Sequence, residues 1–383
     1  MVRPLDSADA VIVGGGVVGC ALAYQLARRG ANVALVERDE LGIHSTGRNA
    51  GGVRQQFSTE VNVRIQLLST RLLDEFEDET GVDPGFRKIG YLFALTQPSD
   101  ERLFRELLEM WHRVGLTDAT WLESDDVRAL APSLTADVSG GTFCPSDGIA
   151  SPTDVTYGYS RRARELGARF YQGCTVTGIT RRGDRVEAVE TTSGLIRCST
   201  VFICAGAWSA EVGRLAGVEL PVRPYRRHIF MFGPVAGVDR DSPMTVDFAT
   251  SLYYHAEGEG VLVGMSDSGD EPTFDTAVDE AFVEKLFEVA GARMPALLDA
   301  ELRTAWAGLY EVTPDHQPVV GPLESVPGLW CVCGFSGHGF MQAPAIALLV
   351  AERWAEERSR IDLSPFEYAR FTARPLERER AVI

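Results

Sequence analysis

The sequence predicts an α/β protein: a parallel-sheet domain interrupted by an inserted α+β domain built on an antiparallel sheet. Three observations carry this. Between Ala8 and Glu37 an apolar run (ADAVIV), a glycine cluster (GGGVVG), an apolar helical stretch (CALAYQLARRG) and a second apolar run (NVALVE) make a β-α-β unit. Residues 220–320 instead alternate apolar and polar positions, as in HIFMFG and YYHAEGEGVLVG, the period of antiparallel strands. LWCVCGFSGHGF followed by FMQAPAIALLVAERWAEE then restores strand, glycine turn and long helix. The segments 1–80, 140–220 and 320–383 are therefore assigned to the first domain, and 81–139 and 221–319 to the second.

Taken in order, Gly14, Gly16 and Gly19 stand in G-x-G-x-x-G spacing, with Val17 and Val18 opening the helix. Such glycines permit a tight turn, close approach of a pyrophosphate and close packing of helix on strand, while the helix N-terminus offers unpaired N–H groups. Glu37, followed by Arg38, ends the second strand and can accept hydrogen bonds from a ribose. This is a Rossmann-like dinucleotide signature. The stretch STGRNAGGVRQQFS then sets Arg48 and Arg54 among small residues, either for a phosphate or carboxylate close to the backbone or as a solvated turn.

Residues 60–135 read as mainly helical. Pro152 starts a helix through Leu166, and TVTGITRR, RVEAVET and LIRCS form an antiparallel meander. TVFICAGAWS is an apolar strand ending at Ala205, Gly206 and Ala207, a second place where a nucleotide crosses strand ends. A further helix runs from about Asp279 to Ala290. The last dozen residues read as a charged, mobile tail.

With 45% hydrophobic and 24% charged residues among 383, the composition is that of a globular chain with a sizeable core. A formal charge of −17 opposes nucleic acid or an anionic membrane as partner. Seven cysteines without a C-x-x-C pair predict reduced, buried thiols and a cytoplasmic compartment; neither a signal-peptide pattern nor a membrane-spanning run is read, and no metal site is expected.

Five ordered motifs, GGGVVG with Glu37, STGRNAGGVRQQF, CAGAWS, GLYEVTPDHQPVVG and GFSGHGF, resemble the D-amino-acid oxidase and sarcosine oxidase superfamily across nearly the whole chain. RNAGGVRQQF is most similar to the β subunits of heterotetrameric sarcosine oxidase and dye-linked proline dehydrogenase, and to dimethylglycine-type dehydrogenases. The resemblance implies a Rossmann-like FAD-binding domain, an antiparallel-sheet substrate domain, and oxidation of a small secondary or tertiary amino or imino acid by hydride transfer to flavin N5. It leaves the electron acceptor open and makes a hetero-oligomer one possible assembly. Ser45, Thr46, Arg48, Asn49, Ala50 and Gly51 are implied to line the cofactor, with Val176, Ala205, Gly206, Trp208, Gly308, Gly337, His338, Gly339, Phe340 and Met341.

Arg54 matches the arginine that grips the substrate carboxylate in sarcosine oxidases, the alternative being an ion pair at the domain interface. Tyr310 matches a pocket-closing tyrosine. His338 is a neighbour of the flavin pyrimidine, or else a general base. Gly308 stands where monomeric sarcosine oxidase carries its flavin-bearing cysteine, and Arg48 near the histidine that dimethylglycine-type relatives use, so the expected FAD is noncovalent. Leu262 and Met341 replace two lysines of the relatives, one that activates oxygen and one that helps bind carboxylate. This favours a dehydrogenase over an oxidase and directs attention to Tyr254, His255 or the cluster Arg223, Arg226, Arg227 and His228 as substrate contacts. That cluster is equally a solvated strand end. Two rival functions are a flavin-dependent 2-hydroxy acid dehydrogenase, needing a histidine base, and a noncatalytic flavoprotein subunit of a larger complex.

Overall fold

In a computed structural model, which describes residues 4–267, 269–372 and 375–381, the chain forms two large sheets and two small ones. The six-stranded sheet has the order Val319–Pro322, Leu329–Cys333, Thr200–Ile203, Ala10–Val13, Val33–Val36, Arg169–Tyr171. Its pairs are parallel except the first. The strands Ala10–Val13, Val33–Val36 and Thr200–Ile203 are buried at every position. Alternate residues explain why: Ala10, Ile12, Val33, Leu35 and Phe202 join the core under the helices, while Val11, Val13, Ala34, Val36, Val201 and Ile203 pack with Ile179, Val186, Val189 and Ile196 of the meander. A parallel sheet covered on both faces needs continuous apolar runs rather than alternation.

The helix Val17–Arg28 is buried from Val17 to Ala27, because it lies against the sheet and between the helices Pro152–Glu165 and Gly339–Trp354. The predicted helix starts hold: the Ser151 hydroxyl accepts from Asp154 N at 3.2 Å, and Asp279 accepts from Ala281 N at the head of Glu280–Arg293. The meander is present as Val176–Arg182, Arg185–Thr191 and Gly194–Arg197, with Pro4–Ser7 added in parallel at its edge.

The eight-stranded sheet has the order Leu302–Val312, Arg223–Phe232, Gly260–Met265, Leu252–Glu257, Met244–Asp247, Tyr91–Leu95, Gly140–Cys144, Thr120–Glu123. It is antiparallel apart from Met244–Asp247 against Tyr91–Leu95. Two of its strands fall within the stretch 60–135 expected to be mainly helical; Tyr91–Leu95 is a short, fully buried apolar run, which periodicity alone does not separate from a helix. Gly140–Cys144 also pairs in this sheet. Arg293, closing its helix, donates from Nε and Nη2 to the two oxygens of the fully buried Asp247, each at 3.0 Å. Removing one partner of such a pair costs about 3–5 kcal/mol.

The seven cysteines are free and buried, as expected. Among the described residues no helix is long and apolar enough to cross a membrane. The expected mobile tail is different: Glu379 is 1% exposed and Ala381 is fully buried, because Glu379 accepts from Ser58 N (2.7 Å), Ala381 N (3.0 Å) and Asn62 Nδ2 (3.0 Å).

Candidate active site

A cavity of about 450 Å³ lies where the C-terminal ends of the parallel strands, at Val13, Val36 and Cys204, meet one face of the eight-stranded sheet. Ligands of open α/β sheets bind at such strand ends. All the residues expected to contact the cofactor line it, except Gly19 and Gly51. These two act behind the wall. A Cβ on Gly19 would stand 2.0 Å from Gly14 O, so the glycine lets the helix cross the strand; one on Gly51, at φ +71°, would stand 2.4 Å from Ala150 O.

At the nucleotide end the helix Val17–Arg28 has no side-chain cap of its own; Val17 N–H instead donates to Thr46 Oγ1 at 3.1 Å. Gly14 adopts φ +114°, where a Cβ would strike Cys204 O at 2.3 Å. Glu37 lines the cavity and accepts from Gly15 N (2.7 Å) and Asp39 N (2.9 Å), which fixes its carboxylate beside the turn. Arg38 stacks over Trp208 at 4.0 Å. An open glycine turn, a helix N-terminus and a positioned carboxylate fit the diphosphate and ribose of a dinucleotide.

The second helix N-terminus, at His338, also lacks a side-chain cap, and Gly339, Phe340 and Met341 of its first turn line the cavity. Their N–H groups have no intrahelical partner and carry the positive end of a 16-residue helix. That end suits a ring system that gains negative charge. Ser45, Arg48 and Asn49 are held against this region: Ser45 Oγ donates to Leu309 O at 2.7 Å, Arg48 Nη1 to Ala307 O at 2.9 Å, and Asn49 Oδ1 accepts from Gly51 N at 2.7 Å. Gly308 leaves open the space beside Arg48, whose Cβ would lie 3.2 Å from a Cβ placed there.

Arg54 is 1% exposed and lines the cavity. Its Nη1 donates to Gln56 O (2.5 Å), its Nη2 to Ala381 O (2.6 Å) and to His338 Nε2 (3.3 Å), and its Cζ lies 4.3 Å from the Phe57 ring centroid. Among the described residues no carboxylate forms an ion pair with it, so the alternative of an interface ion pair is not what is found. A buried guanidinium satisfied by neutral groups keeps its charge available for an anion. Burial, and then the charge of Arg54, hold the His338 imidazole well below its ordinary pKa. The ring is therefore neutral, and His338 Nδ1 has no partner among the described residues.

Tyr310, Tyr253, Tyr91, Ile229, Met244 and Arg227 complete the wall. Tyr253 and Tyr91 were not picked out in the sequence. Tyr253 pairs with Gly264, where a Cβ would stand 2.1 Å from the tyrosine ring, so a glycine directly across the strand was the available signal. Tyr254, the predicted contact, points to the opposite face, where its hydroxyl meets Ser133 Oγ at 2.7 Å in a separate core. His255 lies outside the cavity lining, with Nε2 3.1 Å from Ala50 O and Nδ1 3.0 Å from Ala256 O. The basic cluster divides by strand alternation. Arg226 pairs with Asp275 and Asp279, and His228 accepts from Asp279 N, so both anchor the helix Glu280–Arg293; Arg223 is exposed; Arg227 faces the cavity.

Two buried acids were also missed. Asp147 accepts from Gln55 N (2.8 Å) and Gln56 Nε2 (3.2 Å), and burial pushes its carboxyl up to about 7. Glu311, in the cavity wall, accepts from Gly334 N at 2.8 Å and is likewise raised by burial to about 7.

The family described as FAD dependent oxidoreductase matches residues 9–353. Human mitochondrial dimethylglycine dehydrogenase is 30% identical over 96% of this chain and 45% of its own length, and glycine oxidase from Geobacillus kaustophilus is 28% identical over 94% and 97%. The chain thus spans less than half the length of the mammalian dehydrogenases it matches. The crystal structure of L-proline dehydrogenase from P. horikoshii superimposes with a TM-score of 0.90 at 29% identity, covering 97% of this chain and 99% of that one. The strand-end cavity with two helix N-termini facing it and the match over most of the chain lead to one conclusion: the chain belongs to the FAD-dependent oxidoreductase family, and FAD is its cofactor.

Proposed function

We propose that the chain oxidises the C–N bond of a secondary or tertiary amino or imino acid, as a dehydrogenase with noncovalently held FAD. The observation that carries this is Arg54: a buried guanidinium without an acid partner among the described residues, in the same cavity as the uncapped turn at His338. It would take the substrate carboxylate and fix the amine's α C–H, a positioning effect that a flexible ammonium reproduces poorly. FAD, when bound, supplies the hydride acceptor.

The chain's own residues then have limited tasks. Arg54 binds and orients, while Tyr310 and Tyr253 exclude water. The first-turn N–H groups of Gly339, Phe340 and Met341 favour negative charge in front of them. The amine enters neutral, and its lone pair drives the hydride out. No base is then required, in keeping with a neutral His338 whose Nε2 already accepts from Arg54. A 2-hydroxy acid would need such a base. Relatives named as glycine oxidase, dimethylglycine dehydrogenase and L-proline dehydrogenase support an amino-acid substrate. Gly308 and Arg48, at or near the positions where the resemblance sets the covalent flavin links of relatives, offer no nucleophile. No lysine is found among the described residues lining the cavity, and Leu262 is buried, which favours slow reaction with oxygen.

Anaerobic addition of N-methyl amino acids, proline and 2-hydroxy acids to the purified flavoprotein tests this. Bleaching of the visible band by an amine, with slow recovery in air, is expected. Bleaching by hydroxy acids alone would overturn it.

A further inference from the structure

The cavity wall carries a further arginine whose hydrogen bonds leave part of its guanidinium unused. Arg227 lies on the strand Arg223–Phe232, its side chain 16% exposed, and its Cζ is 5.2 Å from the Tyr310 ring centroid. Among the described residues its hydrogen bonds run from Nη1, to Asp270 Oδ2 at 2.6 Å and to Arg226 O at 2.8 Å. Nε is enclosed and has no acceptor among the described residues. Nη2, by contrast, is not enclosed and donates to no described residue, so it is the N–H group open to an anion arriving with the ligand. Gly308 sits directly across the strand pair from Arg227 and contributes no side chain, which keeps the approach open. Asp270 comes from the connecting segment after Met265, outside regular structure, so it holds one edge of the guanidinium from a loop.

We propose that Arg227 binds a second carboxylate of the substrate, so that the preferred substrates are N-substituted amino acids with an acidic side chain, of the aspartate or glutamate class. This rests on the amine-oxidising function proposed above. Arg54 takes the α-carboxylate and Arg227 the side-chain carboxylate, with Tyr310, which feels both cations, lying in the same wall. A carboxylate accepts a charge-assisted hydrogen bond from Nη2, which a neutral amide or alcohol of the same length matches less strongly.

The test is anaerobic rapid mixing of the holoenzyme with N-methylaspartate and N-methylglutamate against N-methylalanine, reading Kd and the flavin reduction rate separately. The dicarboxylates are expected to bind more tightly, and Arg227→Met to raise the ratio of dicarboxylate to monocarboxylate Kd by about 10–100-fold, the range of a charged hydrogen bond. Asp270→Asn, which removes the carboxylate charge paired with Arg227 while leaving an acceptor for Nη1, should move the same ratio the other way. Reduction by monocarboxylates only, or a ratio unchanged in both variants, overturns the inference while leaving the amine reaction standing. Failure of every amine to bleach the flavin overturns both.

Discussion

Arg54 and His338 meet through Nη2 and Nε2 at 3.3 Å, and because the guanidinium can only donate, the contact assigns the imidazole lone pair to Nε2 and its proton to Nδ1. His338 thus holds Arg54 in place and cannot take a proton at Nε2 while that contact persists. His338→Leu is expected to weaken amino-acid binding about 10-fold and to change the flavin reduction rate by less than about threefold, whereas loss of a general base costs about 10²–10⁴-fold in rate. Rapid-mixing kinetics across pH separate the two.

Glu379 reaches the same arginine from the other side. It receives the N–H of Ser58 and Ala381, and Ala381 O in turn accepts from Arg54. Glu379→Ala leaves these donors, one buried and one half-buried, without acceptors, and is expected to lower stability by about 3 kcal/mol and to raise Kd for amino-acid substrates. Denaturant unfolding and substrate titration measure both effects. Glu379→Gln, which keeps one acceptor oxygen, should fall between.

Asp147 gives the fold a pH dependence of defined sign. Burial keeps it protonated to about pH 7 in the folded chain, against an ordinary 3.8. Between these values the folded state binds a proton that the unfolded state releases, so stability falls as pH rises from about 4 to about 7 and this contribution is constant above. One such proton is worth about 1.4 kcal/mol per pH unit. Asp147→Asn should remove that slope from unfolding free energies measured between pH 4.5 and 7, and an unaltered slope would show that Asp147 is ionised throughout.

Local spacing made the nucleotide half legible. Gly19 against Gly14 O and Glu37 on Gly15 N are contacts within one β-α-β unit, and such local contacts leave a sequence pattern. The order of the eight-stranded sheet was not legible, since Tyr91–Leu95 and Met244–Asp247 pair across a long stretch of chain and nothing local encodes that partner. Tyr254 was preferred to Tyr253 because a run of two tyrosines fits either face of a strand, and only the register with Gly264 decides. The charged tail reads as mobile, yet Glu379 is buried because backbone N–H groups satisfy it, a relation composition does not contain. Arg227 and Arg226 are adjacent in sequence and opposite in role for the same reason of alternation.

The central claim is that Arg54 holds the carboxylate of the substrate amine. The most direct measurement is a double-mutant cycle by anaerobic flavin reduction: wild type and Arg54→Met, each with N-methylalanine and with N-methylethylamine, its analogue lacking the carboxylate. The predicted result is that removing the carboxylate costs the wild type about 100-fold in reduction rate over Kd and costs Arg54→Met almost nothing, as for a charge-assisted bidentate contact. Equal losses in both proteins would contradict the account.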